Sequence, residues 1–137
     1  MLRGAHQVER DERIANMRSR TTREKVCALC LALPGASRED HGSHSTYFVR
    51  KKAFAYYLDD HHGDGIVCVA FSAGLGEQAQ WMALDPERYL RPAYIGARGW
   101  TSLRLDKGKV DWNEVGSRLS EGYLRVAPKT LARLVTL

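Results

Sequence analysis

Residues 44–71, HSTYFVRKKAFAYYLDDHHGDGIVCVAF, constrain the fold more than any other part of this chain. Within them the apolar pattern runs at period two, with aromatic and β-branched residues over Thr46 to Val49, Ala53 to Leu58 and Ile66 to Phe71. That composition and period predict three strands. The links between them, RKK and DDHHGDG, are short and carry turn residues. Parallel neighbours need a crossover of a dozen or more residues, so these strands are expected to pair antiparallel as a meander.

The flanking sequence has to supply the layer that buries one face of that sheet. Thr21 and Glu24 have the spacing of a capping box, and Val26, Leu29, Cys30 and Leu33 follow at helical intervals until Pro34 and Gly35 stop the run. GLGEQAQWMALDPERYL has helical composition, with Pro86 suited to the first turn of a second, short helix. WTSLRL alternates again, with Trp100, Ser102 and Arg104 on one face and Leu103 and Leu105 on the other. DKGKV reads as a turn, and the remainder as two helical segments broken at Pro128, with Trp112, Val115, Leu119 and Tyr123 on the inner face of the first. Gly96 and Gly99 are expected to bend the chain into the strand near Trp100, whose indole is expected at least half-buried against a helix. The sum is an α+β fold of two layers, an antiparallel meander packed against helices.

At 137 residues the chain is expected to hold one domain over 21–137. Residues 1–20 are polar and mixed in charge, so they read as a flexible extension, and Met17 stands as a candidate initiator. The longest uncharged apolar run, Val26 to Pro34, is far short of the roughly 20 residues of a membrane span. The N-terminus is too charged for a secretory signal. Three cysteines argue against a disulfide framework and fit a reducing cytoplasm.

Metal and catalytic readings find little support. Cys27 and Cys30, followed by His41 and His44, have the residue types of a zinc set, but Cys30 falls on the apolar face of a capped helix, where a cysteine acts as a small hydrophobe. His61 and His62 beside Asp59, Asp60 and Asp64 can attract a divalent ion, yet turns collect solvated polar residues in any case. Glu77, Glu114 and Glu121 have no evident base or nucleophile as partner, and no nucleophile elbow, phosphate loop or dinucleotide fingerprint occurs. No catalytic residue, metal or cofactor is therefore assigned.

The formal charge of +5 and pI near 9.3 invite a nucleic-acid reading. Residues 1–25 hold seven Arg and Lys against four Asp and Glu, whereas residues 26–137 hold fourteen against twelve, so much of the excess lies in the extension. The folded part nevertheless places Arg50, Lys51 and Lys52 at one expected hairpin tip and Lys107 and Lys109 around another at Gly108, with Arg98 and Arg104 bracketing Trp100. Basic tips of this kind can track phosphates, and lysines near strand ends equally well discourage edge-to-edge aggregation.

LALPGA, STYFVRKKAFA, GEQAQW, PAYIGARGW, DWNEV and GYLRVAPKTL together, in this order and spacing, resemble the MmcQ/YjbR-like family from about Val26 to Leu134. The resemblance implies an α+β domain similar in outline to frataxin-like and secretion-chaperone-like folds. It also implies DNA binding by a double-wing arrangement, an activity that rests on fold analogy. By position, Arg50, Lys51 and Lys52 would tip one wing, and Arg125 and Lys129 would lie at the junction of the last two helical segments. Members often carry glycine where this chain has Lys51, which departs from the pattern and adds a charge. The resulting expectation is a cytoplasmic, non-enzymatic protein that binds DNA weakly and salt-sensitively through Arg50, Lys51, Lys52, Arg98, Arg104, Lys107, Lys109, Arg125 and Lys129. The alternative is a protein-interaction module, or self-association, through the sheet or an edge strand. A third reading, an enzyme for a small acidic substrate, would need a pocket where several arginines converge, for example Arg50, Arg98 and Arg104.

Overall fold

A computed structural model describes residues 21–135; the expected extension over residues 1–20, with Met17, lies outside the described residues. Thr21 caps α1 (Thr22–Leu31) as its spacing predicts: its Oγ accepts from the Glu24 amide at 3.2 Å while the Glu24 carboxylate accepts from the Thr21 amide at 3.4 Å. Such a reciprocal cap satisfies two amides that the first turn leaves unpaired. Val26 and Cys30 are buried beneath the helix.

The chain then forms β1 (Ala36–His41), β2 (His44–Val49), β3 (Lys52–Asp59) and β4 (Val67–Phe71). After α2 (Leu75–Leu84) come β5 (Tyr89–Leu90) and β6 (Thr101–Arg104), and α3 (Trp112–Val126) and α4 (Lys129–Ala132) close the described chain. All neighbouring strands pair antiparallel in the order β1-β2-β3-β4-β6-β5, six strands in one sheet. The α+β fold expected from the change of period is thus present.

Two elements differ from the sequence reading. Residues 36–41, expected as loop, are the edge strand β1, whose side chains are exposed apart from the partly buried Ala36. With both faces polar, ASREDH has no alternating apolar signal to reveal it. Pro86 does not open a helix: α2 ends at Asp85, a turn follows, and Tyr89 and Leu90 pair with Leu103 and Ser102. The chain is held in that turn by Arg88, whose guanidinium bonds Asp85 (2.6 Å) and Glu114 of α3 (2.6 and 3.2 Å).

Register decides which residues meet the helices. The row Tyr57, Val69, Leu103 and Tyr89 is buried on the helix-covered face, where Tyr89 donates its hydroxyl to Glu114 at 2.7 Å. The adjacent row, Tyr56, Ala70, Ser102 and Leu90, faces the other way. A bulge follows Tyr47: Tyr47 faces Ala55 and Phe48 faces Ala53, leaving Phe54 without a partner. A bulged residue turns its side chain away from strict alternation. Phe54 uses that freedom to set its ring edge-on against Tyr123 of α3, with centroids 5.4 Å apart. Tyr123 in turn donates to the Pro34 carbonyl at 2.6 Å, fastening α3 to the end of α1.

Trp100 is buried, as expected, at 8 % exposed, but its ring packs on the sheet and not on a helix, 5.3 Å from that of Tyr56 on β3. The indole therefore fills the sheet face opposite α1 and α3. No helix of the described residues is long and apolar enough to cross a membrane.

Candidate nucleic-acid interface

The β2–β3 connection consists of Arg50 and Lys51 alone, between the paired Val49 and Lys52. Both residues have positive φ, 49° and 66°, the geometry of the type I′ hairpin turn. Most residues avoid that region, because Cβ approaches the following carbonyl. The two side chains are exposed as a result of the tight reversal, with Lys52 exposed beside them.

Other basic residues gather at the same end of the sheet. Ala36 pairs with Val49, and Phe71 with Thr101, so the start of β1, the end of β4 and the start of β6 all lie at the Arg50–Lys51 end. α3 reaches this end with its last turns: a Cβ on Gly122 would stand 3.0 Å from the Phe54 carbonyl and 3.1 Å from the Ser72 amide. That approach brings Arg125 and, past Pro128, Lys129 to the same end. Arg98 is fixed by its neighbour Gly99, where a Cβ would meet Ala73 O at 2.5 Å and Leu75 N at 2.8 Å. The glycine therefore seats the GARGW segment directly on the entrance to α2.

Six of the nine predicted positions thus share one end: Arg50, Lys51, Lys52, Arg98, Arg125 and Lys129, all exposed. Arg125 contacts Glu77 at 3.3 Å, and no other ion pair engages these six among the described residues. Leu75, 57 % exposed, is a large apolar side chain at this end.

Arg104, Lys107 and Lys109 lie at the opposite end, where Asp59 pairs with Val67 and Cys68 with Arg104. Arg104 is held by Asp106 through two bonds of 2.9 and 3.1 Å, and that hydrogen bond keeps the Asp106 carboxyl below its usual range. The acidic β3–β4 turn, with Asp59, Asp60 and Asp64, occupies this end as well. Because Arg50 and Arg98 sit at one end and Arg104 at the other, these three arginines do not converge on a pocket.

The set of Cys27, Cys30, His41 and His44 is also dispersed. Cys30 is buried in the core, while Cys27 accepts from the Arg38 guanidinium at 2.8 Å. His44 sits at the other end of the sheet with its Nε2 3.0 Å from the Asp59 carbonyl. Burial pushes the Cys30 thiol well up, and Cys68 to about 11, so both are held as neutral thiols at neutral pH. Among the described residues no three His, Cys, Asp or Glu side chains form a set that would hold a metal ion.

A profile of the YjbR family matches residues 31–125. Among solved structures, the crystal structure of Deinococcus radiodurans protein DR2400, with the DUF419 domain, superposes with a TM-score of 0.61 at 16 % identity, over 78 % of this chain and 82 % of that one. At that identity the likeness is one of fold. No curated protein matches the chain.

Proposed function

Because the chain belongs to the YjbR family, we propose that it binds DNA through phosphate contacts made by the basic end of its sheet. The observation that carries this reading is the gathering of Arg50, Lys51, Lys52, Arg98, Arg125 and Lys129 at one end, exposed and, Arg125 apart, without carboxylate partners among the described residues. Contacts of this kind position a protein on a duplex without reading bases, so binding is weak, sequence-tolerant and steeply salt-dependent. The same composition disfavours docking of a partner strand along β1, since Arg38, Glu39 and Asp40 charge that edge.

The test is fluorescence anisotropy of a labelled duplex of about 20 base pairs over a salt series, long enough to span the whole end of a small domain. Six phosphates neutralised give a log–log slope of about −5. Replacing Arg50, Lys51 and Lys52 together by Gln flattens the slope by about 3, whereas replacing Lys107 and Lys109 by Gln leaves it nearly unchanged. Equal effects from the two ends, or no binding at low salt, would sink the proposal.

A further inference from the structure

The sheet face turned away from α1 and α3 holds a cleft that none of the basic positions above accounts for. Its volume is about 310 Å³, at the lower end of the range of small-molecule sites. The floor is largely apolar, with Leu58, Ile66, Cys68 and Leu90 beside the buried Ser102, and the polar rim consists of His61, His62, Asp64 and Arg91. Asp64 is engaged, its Oδ1 accepting from the Ile66 amide at 2.9 Å. Arg91 makes no ion pair among the described residues.

Both loops that frame this cleft hold non-glycine residues at positive φ. Among the described residues outside the Arg50–Lys51 turn these are Asp60 and His62, in the left-handed region, and Tyr94, and all three lie on these loops. Tyr94, at φ 63° and ψ −67°, is the centre of a γ-turn closed by a 2.7 Å bond from the Ile95 amide to the Ala93 carbonyl. This turn is rare, and a backbone persists in it only when its surroundings over-determine it.

The surroundings here do so. Buried Gln78 donates to the carbonyls of both Gly96 (2.9 Å) and Trp100 (2.7 Å), bracing the loop from behind. Gly96 leaves room for the Arg91 stem, whose Cγ would stand 2.6 Å from any Cβ there. The outcome is a tyrosine ring 87 % exposed, 6.3 Å from His62, which itself lies 3.9 Å from His61. A fold that holds an aromatic side chain out in water on a strained turn gains nothing from it in the free state.

We propose that this cleft binds a small aromatic carboxylate, with the ring on the apolar floor beside His62 and the carboxylate paired with Arg91. A flat apolar body suits a floor of Leu58, Ile66 and Leu90 with the His62 ring at its side. The unpartnered guanidinium supplies the fork that carboxylates match. The site is separate from the basic end and does not depend on DNA binding.

Titration of the full chain with 1-naphthoate, followed by amide chemical shifts and calorimetry, tests this. Saturable shifts at Leu58, Ile66, Ala93 and Ser102 are expected. The uncharged 1-naphthalenemethanol should bind about tenfold more weakly, and Arg91→Gln should lose the preference for the acid by a similar factor. His62→Ala, which removes a ring that lines the cleft, should weaken naphthoate several-fold. Absence of saturable shifts at millimolar naphthoate, equal affinity for acid and alcohol, or undiminished binding by Arg91→Gln would overturn the proposal.

Discussion

Replacing Gly99 by alanine tests how closely the GARGW segment is seated on α2. A Cβ at this position would stand 2.5 Å from Ala73 O, 2.6 Å from Gly74 C and 2.8 Å from Leu75 N, all of them backbone atoms, and the residue has φ +100°. The conformational part, an L-residue held at positive φ, costs about 1–2 kcal/mol. The steric part adds about 1–3 kcal/mol, because the atoms in the way belong to a helix entrance and cannot rotate aside as a side chain would. Together these give about 2–5 kcal/mol, a large share of a typical domain's stability. For a chain of this size the thermal midpoint then falls by roughly 10 °C. The assay is urea unfolding followed by circular dichroism, with two glycines as references. Gly42→Ala has φ +61° and open space around it, so it isolates the conformational part at about 1 kcal/mol. Gly116→Ala lies inside α3 with Leu29 at an ordinary 3.5 Å, and alanine there is expected to stabilise by about 0.5–1 kcal/mol. If Gly99→Ala costs no more than Gly42→Ala, the close approach is refuted, and with it the reason Arg98 is fixed beside α2.

Lys51→Gly should raise stability by up to about 1 kcal/mol, since glycine accepts φ 66° freely, while flattening the DNA salt slope by about 1; a chevron and the anisotropy series read the two effects separately. Glu114→Gln weakens the charge-assisted bonds from Arg88 and Tyr89 and should cost about 1–2 kcal/mol in urea unfolding at pH 7. Burial pushes the Glu114 carboxyl up, but the Arg88 and Tyr89 hydrogen bonds outweigh it and leave it below its ordinary 4.5. Its contribution is therefore complete above that value and is lost as pH falls below it, so the difference between wild type and Glu114→Gln should shrink on acidification. In alkali the sign reverses: burial raises the Cys68 thiol from 9.0 to about 11, so its neutral form supports folding up to pH 9 and that support is lost as pH rises from 9 towards 11. The urea midpoint should fall over that window, and by less in Cys68→Ala.

What the sequence made legible follows from which signals are local. The capping box of α1 and the aromatic and β-branched runs of β2, β3 and β4 are written in neighbouring residues, and each strand stands within two residues of where its run predicts it. β1 was illegible because an edge strand with both faces in water needs no apolar period; only its pairing with β2 defines it. The turn at Pro86 carries helical composition, while the partner that stabilises it, Glu114, lies twenty-six residues from Arg88. The nine basic positions were each visible, yet their division into two ends depends on strand order, which places Lys107 beside the β3–β4 turn and Arg125 at the far end, beside the entrance to α2. Arg91 and Tyr94 escaped notice for a further reason. Neither belongs to a charge cluster, and the strain that marks Tyr94 is a backbone angle imposed by Gln78 from another element. A proline two residues before a tyrosine in PAY is the one local hint, since proline favours a turn entry. Local rules thus reached the scaffold and the inventory of charges. The two candidate surfaces arise only when the sheet order brings distant loops to one end or one face, and the experiments that separate them must perturb those loops independently.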